Sequence, residues 1–226
     1  MSMSGRAFAR AALAIALSLA GCSSRNTPPE PLPFQLAAQR AFGALKARKK
    51  PADARSVLTR AAIDATPGPI LLAGVESRQA YATLTPSGHN RGVVSWVTGD
   101  GVSLSFRNGV LVATRGLGQD LMAADVSDVL AALHAGQGPA LRIHDYLDGE
   151  EQVRRRSFYC TIRTEGRETL HIYELSVTTR RLAETCKNPT ITFTNRYWIS
   201  SGNRIRQSHQ WAGPLVGYVF TQQLSK

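Results

Sequence analysis

Val102-Ser103-Leu104-Ser105-Phe106-Arg107-Asn108-Gly109-Val110-Leu111-Val112-Ala113-Thr114 is the stretch whose reading decides the fold. Val102, Leu104 and Phe106 alternate with Ser103, Ser105 and Arg107, which is the period of a strand with one buried face. Asn108 and Gly109 then supply two adjacent residues that tolerate positive φ, and an apolar run follows at once. This pattern predicts an antiparallel hairpin closed by a two-residue turn.

The same pattern repeats outward in both directions. Upstream, Ile70 to Val75, Ala80 to Thr85 and Val93 to Val97 are short apolar or alternating runs bounded by Gly, Pro, Asn and Asp. Downstream, strands are expected at Ala140 to Leu147, Val153 to Thr164, Thr169 to Thr178, Thr190 to Ser200, Asn203 to Trp211 and Val216 to Leu224. In the run from Thr190, Ile191, Phe193, Tyr197 and Ile199 share one face, while Thr192, Thr194, Arg196 and Trp198 share the other. Asp125 to His134 breaks the pattern with Val126, Val129, Leu130 and Leu133 at helical spacing, and Gly136 ends it. About eleven strands joined mostly by short turns predict a mainly β fold, an antiparallel β-barrel or barrel-like sandwich with one or two short helices.

The N-terminus sets the compartment. Arg6 and Arg10 precede an unbroken apolar run from Ala11 to Ala20, with small residues before Cys22, as in a bacterial export signal. The run is about half the roughly 20 residues that a spanning helix needs. Leu19-Ala20-Gly21-Cys22 resembles the lipobox of bacterial lipoproteins. That resemblance implies cleavage after residue 21, acylation of Cys22 and a lipid anchor, where each buried methylene contributes about 0.8 kcal/mol. The alternative is an ordinary secreted protein with a chance cysteine. Ser at position 23 follows the pattern of lipoproteins sent to the outer membrane, facing the periplasm. The expected organisation is a lipoprotein signal peptide over 1–21, a proline-rich tether over 22–33, and a single β domain over 34–226 that begins with a helical segment. That segment, Gln35 to Lys50, has an irregular amphipathic pattern and is ended by Pro51. Its basic side is read either as solvated or as lying against anionic headgroups.

The formal charge is +11, and 22 of the 27 basic residues are arginine. Guanidinium forks suit carboxylate and phosphate, so the candidate partners are anionic headgroups, an acidic polysaccharide or a component of a secretion apparatus. The export signal excludes nucleic acid. With Cys22 acylated, Cys160 and Cys186 remain as a pair in an oxidising compartment, read as a disulfide or as two buried thiols.

Catalytic patterns are missing. His89, His134, His144, His171 and His209 show no metal-ligand spacing, and no metal or cofactor is implied. There is no Gly-x-Ser-x-Gly elbow, and Gly116-Leu117-Gly118 reads as a tight turn. Asp100, Asp145, Asp148, Glu150 and Glu151 sit in or beside turns, where acidic residues are common for backbone reasons. No catalytic residue is assigned. Trp198, Arg204, Arg206 and Trp211 lie on two adjacent strands across the turn at residues 200–203, and form a candidate glycan-binding patch if they share a face. The alternative places the tryptophans at a barrel rim and leaves the arginines solvated.

Val110-Leu111-Val112-Ala113-Thr114-Arg115-Gly116, Asp120-Leu121, Tyr197-Trp198, Gly202, Ile205, Ser208 and Gln210 together resemble the YjbF/GfcB family of lipoproteins. The resemblance runs from about Ile70 to the C-terminus and includes the lipobox. It implies a β-barrel-like domain and a role in producing or exporting capsule or exopolysaccharide, and it brings no active site with it. Three functional expectations follow. The first is a non-catalytic outer-membrane lipoprotein that assists polysaccharide export by binding glycan or a secretion component. The second is a carrier with an apolar barrel cavity for a lipid or lipoprotein. The third is a polysaccharide-modifying enzyme.

Overall fold

The computed structural model describes residues 53–147, 150 and 152–225. The signal peptide, the Cys22 anchor, the tether and the helix expected over 35–50 lie outside them.

The hairpin that opened the reading is present, with β4 (Ser103–Arg107) and β5 (Val110–Arg115) joined through Asn108 at φ 47° and Gly109 at φ 83°. Before them come β1 (Leu71–Val75), β2 (Ala80–Asn90) and β3 (Val93–Val97). After them come β6 (Leu121–Asp125), β7 (Gly138–Leu147), β8 (Val153–Ile172), β9 (Leu175–Lys187), β10 (Thr192–Ile199), β11 (Ile205–Gly213) and β12 (Gly217–Gln223). The helices are α1 (Ala54–Val57), α2 (Arg60–Ala65) and α3 (Ser127–Ala135).

The twelve strands form one antiparallel sheet in the order β5-β4-β3-β2-β1-β12-β11-β10-β9-β8-β7-β6. Each strand therefore lies beside its neighbours in sequence, and β12 pairs back onto β1, as in an up-and-down barrel. The seam falls between β5 and β6. There the Thr114 hydroxyl donates to Asp120 at 2.7 Å and accepts from the Leu121 N–H at 3.0 Å. Arg115 donates to the carbonyls of Leu121 and Met122. Side chains thus occupy edge groups that would otherwise be open to another strand.

Two corrections to the sequence reading concern strands. Residues 121–125 form β6, and the expected strand over 169–178 is the end of β8, a turn at Tyr173-Glu174 and the start of β9. Residues 165–168, left between two expected strands, continue β8 through a bulge, where the register with β9 shifts between Thr164 and Gly166. An extra residue inverts which side chains face inward. Phe158, Cys160 and Ile162 accordingly join the main core, whereas Leu170 and Ile172 join a second cluster with Ile63, Ile70, Leu72 and Leu224. That cluster also takes in Trp198, Tyr81 and Phe220 and lies on the opposite face of the sheet, under α1 and α2. This is why β1 is buried at all five positions and reads as an unbroken apolar run.

Cys160 and Cys186 are directly opposite each other on β8 and β9 and are joined by a disulfide. The buried-thiol alternative falls away. A closed loop with a sequence separation of 26 stabilises the fold by about 3.5 kcal/mol in the chain-entropy model.

Candidate functional site

A circle of twelve strands encloses more space than side chains alone readily fill. The interior here holds three things: an aromatic cluster, a buried polar network and a cavity.

The aromatic cluster stacks Phe193 on Trp211 with ring centres 4.5 Å apart, and Phe158 meets Phe193 edge-on at 5.0 Å. His144 lies nearly parallel to Trp211 at 5.9 Å. Beside it, Arg142 of β7 makes a bidentate ion pair with Glu184 of β9, Nε to Oε1 at 2.8 Å and Nη2 to Oε2 at 3.0 Å, both side chains being fully enclosed. Asn195 and Tyr197 of β10 donate to the same Oε2 at 2.7 and 2.6 Å. Tyr197 also accepts from Arg142 at 3.1 Å. A buried ion pair persists only when its remaining donors and acceptors are met in this way. Burial is the largest single influence and by itself would lower the Arg142 pKa, but the Glu184 charge and hydrogen bond together with Tyr197 and Tyr146 outweigh it and the net shift is upward.

The tautomer of His144 follows from its neighbours. Tyr146 donates its hydroxyl proton to the Ala212 carbonyl at 3.0 Å, so it accepts from His144 Nδ1 at 2.8 Å. Nε2 is then free of a proton and accepts from Arg142 Nη1 at 3.3 Å. Burial, reinforced by the Arg142 charge, holds the His144 pKa well below its ordinary value. The imidazole is neutral and its roles are fixed. This network ties β7, β9, β10 and β11 together, and it has no access to a substrate.

The third feature is the cavity. It has a volume of about 650 Å³ and opens where four segments converge: α3, the Asn108-Gly109 turn, the β10–β11 turn and the end of β12. A neighbouring space of about 210 Å³ shares Trp96, Asn108, Gly109, Ile205 and Gln223 with it. Leu130, Leu133, Ile199 and Ile205 supply apolar wall, while Asn108, Asn203 and Gln223 supply amides. The frame is fixed by local bonds. Asn203, in the left-handed region at φ 59°, donates to His134 Nδ1 at 2.9 Å and so links the β10–β11 turn to α3. Gln210 reaches across the interior, accepting from Leu111 N at 2.8 Å and donating to the Gly109 carbonyl at 2.9 Å, which pins the hairpin opposite β11.

Arg204 and Arg206 both line this cavity. Arg204 is exposed, while Arg206 is 5% exposed, donates through Nη2 to the Ser225 carbonyl at 2.8 Å and has no partner for Nε. Burial, then the adjacent Arg204 charge, lowers the Arg206 pKa. The two tryptophans expected beside these arginines are elsewhere. Trp211 is buried in the aromatic cluster, and Trp198 faces the second cluster, donating Nε1 to Glu168 at 2.9 Å. The four-residue patch is therefore not assembled. A register shift between Trp198 and Ile199 places Arg206 at a bulge and separates it from the Trp198 face.

The tryptophan that does line the cavity is Trp96, which sequence reasoning passed over. Its strand, Val93–Val97, was legible, but nothing local showed which end of the barrel it would face. His134 and Asn203 were overlooked for the same reason, since one lies on a helix and the other in a turn 69 residues away. Arg142 and Asn195 carried no signal beyond being polar residues inside strand patterns, and Glu184 fell between two expected strands, in the part of β9 that was not anticipated. Among the described residues, Cys160, Cys186 and Glu184 cluster as metal ligands would, but the two cysteines are bonded to each other.

The residues of the sequence resemblance fall where the interior is fastened: Asp120 in the β5–β6 turn, Tyr197 on the ion pair, Gln210 on the hairpin. No curated protein matches the chain by sequence. Among solved structures, the crystal structure of the hypothetical lipoprotein YmcC from Escherichia coli (K12) shares the fold. It is 20% identical, with a TM-score of 0.66, and the match covers 83% of this chain and 94% of that one. The family model described as "Group 4 capsule polysaccharide lipoprotein gfcB, YjbF" matches residues 34–224. Because that match spans more than half of the sequence, this chain belongs to the YjbF family.

Proposed function

We propose that this protein assists the production and export of capsule or exopolysaccharide as a lipid-anchored, non-catalytic component at the outer membrane, facing the periplasm. The observation that carries this reading is the family match over residues 34–224, a family described by capsule polysaccharide and lipoprotein. The lipobox at Leu19-Ala20-Gly21-Cys22 supports the anchor. A binding role rather than a catalytic one is supported by the cavity, which no Asp or Glu lines among the described residues, so the carboxylate pair of an ordinary glycosidase is not assembled there. The cavity binds glycan through its arginines and amides. Deleting the gene and measuring the amount and chain length of surface polysaccharide tests the role. A fall in either is expected, and unchanged polysaccharide would refute it.

A further inference from the structure

Of the two buried arginines among the described residues, Arg142 and Arg206, only Arg206 has an unpartnered guanidinium N–H, a feature that the half-buried Arg60 shares at its own Nε. Its Nε has no hydrogen-bond partner among the described residues, and the charge that acts on it is that of another guanidinium, Arg204. A buried guanidinium N–H left unpaired destabilises the protein by the full desolvation of that group. Like charges side by side add to the penalty. Elsewhere in the interior the chain solves this problem locally, since Arg142 has Glu184 in a bidentate pair. At Arg206 the described chain offers only the Ser225 carbonyl and a cavity.

We propose that the cavity is a binding site for a carboxylate-bearing saccharide, with the guanidinium groups of Arg204 and Arg206 holding the carboxylate and Trp96, Leu133 and Ile205 walling the sugar ring. The geometry supports each part. A guanidinium edge matches a planar carboxylate, and a partly enclosed site sheds the hydration of a single charge more readily than that of a phosphate dianion. Asn108, Asn203 and Gln223 supply neutral donors and acceptors suited to hydroxyl groups, whereas a lipid tail would leave these amides unpaired. Apolar residues with a few convergent polar groups are the usual composition of a small-molecule site. The proposal rests on the reading of this cavity as a glycan site, and its test is independent of the gene deletion.

The test is equilibrium binding to the full chain purified in detergent, followed by tryptophan fluorescence and calorimetry. The probes are trigalacturonate, its neutral methyl ester and inorganic phosphate. Trigalacturonate is expected to bind, and both the ester and phosphate to bind about ten-fold more weakly or worse, because each lacks half of the recognition. Arg206→Gln is expected to weaken trigalacturonate by a similar factor with the melting temperature retained. Arg204→Gln, at an exposed side chain, serves if the first variant does not fold. Trp96→Phe should remove the fluorescence response while Trp198→Phe preserves it. Equal binding of acid and ester, or wild-type affinity in both arginine variants, overturns the proposal. Phosphate binding as tightly as trigalacturonate also overturns it, because the site is then for a bare anion. Any of these results leaves the deletion phenotype standing. A silent deletion combined with specific trigalacturonate binding removes the export role and leaves the site.

Discussion

His144 is a single residue on which pH acts directly. It is packed against Trp211, Phe158 and Phe193, and its charged and titratable neighbours are Arg142 and Tyr146 on its own strand, with Arg156 as its cross-strand partner. Its folded pKa is depressed by burial and by Arg142, while the unfolded chain has the ordinary value of about 6.5. Above that pH the imidazole is neutral in both states and contributes no pH dependence. Below it, the unfolded chain takes up a proton that the folded protein refuses, so stability falls as pH falls. The limiting slope is about 1.4 kcal/mol per pH unit for one proton. Urea unfolding between pH 7 and 5 should show this loss, and His144→Gln should flatten the slope whatever it does to absolute stability. An unchanged slope in the variant would assign the acid sensitivity to other groups. Nothing in the sequence marks His144 out, because its burial depends on strands that begin almost 50 residues further along.

Hairpins are the elements on which this barrel is built, and two of them differ in a way that can be measured. Gly109 at φ 83° closes the β4–β5 turn, and a Cβ there would stand 2.8 Å from the Ile205 Cβ. Gly92 at φ 78° closes the β2–β3 turn with nothing within 4 Å. Both substitutions to alanine force a left-handed conformation, worth about 1 kcal/mol, but only the first also overpacks an interior contact. Gly109→Ala is expected to lower unfolding free energy by about 2 to 3 kcal/mol and Gly92→Ala by about 1, in chemical denaturation. Equal effects would mean that Ile205 yields freely. The sequence announced the Asn108-Gly109 turn, between two apolar runs, but not the turn at Arg91-Gly92, because polar residues 86–90 hide the second half of β2. It missed the β8–β9 hairpin, whose turn at Tyr173-Glu174 falls inside the strand expected over 169–178, because only pairing between β8 and β9 sets that register. Gly74 shows the same dependence on pairing. It lies between Tyr81 and Phe220 on the flanking strands, and a Cβ would meet the Tyr81 ring at 2.2 Å.

At the scale of the whole molecule, the disulfide joins compartment to stability. A disulfide between Cys160 and Cys186 suits the oxidising compartment expected from the N-terminal sequence, and the register places the two cysteines opposite each other. Replacing both by alanine is expected to lower stability by about 3.5 kcal/mol without altering the strand content seen by circular dichroism. A loss well below 1 kcal/mol would show that the sheet alone constrains this loop. What the sequence determined by itself was governed by neighbours along the chain: alternating strands, tight turns, a helix expected over 125–134 and found at Ser127–Ala135, and Cys160 with Cys186 as a pair. It also singled out Arg204 and Arg206. Only the tertiary structure decided which side chains share a space. Closing twelve strands into one barrel brings Trp96, His134, Asn203 and Arg206 to a single cavity, and sends Trp198 and Trp211 to opposite faces of the sheet. The physical reason is that facing is set by register, and one bulge inverts it. Register is fixed by pairing with residues far along the chain, so the Asn108-Gly109 turn could be read locally, while Gln210, which fastens it from across the barrel, could not.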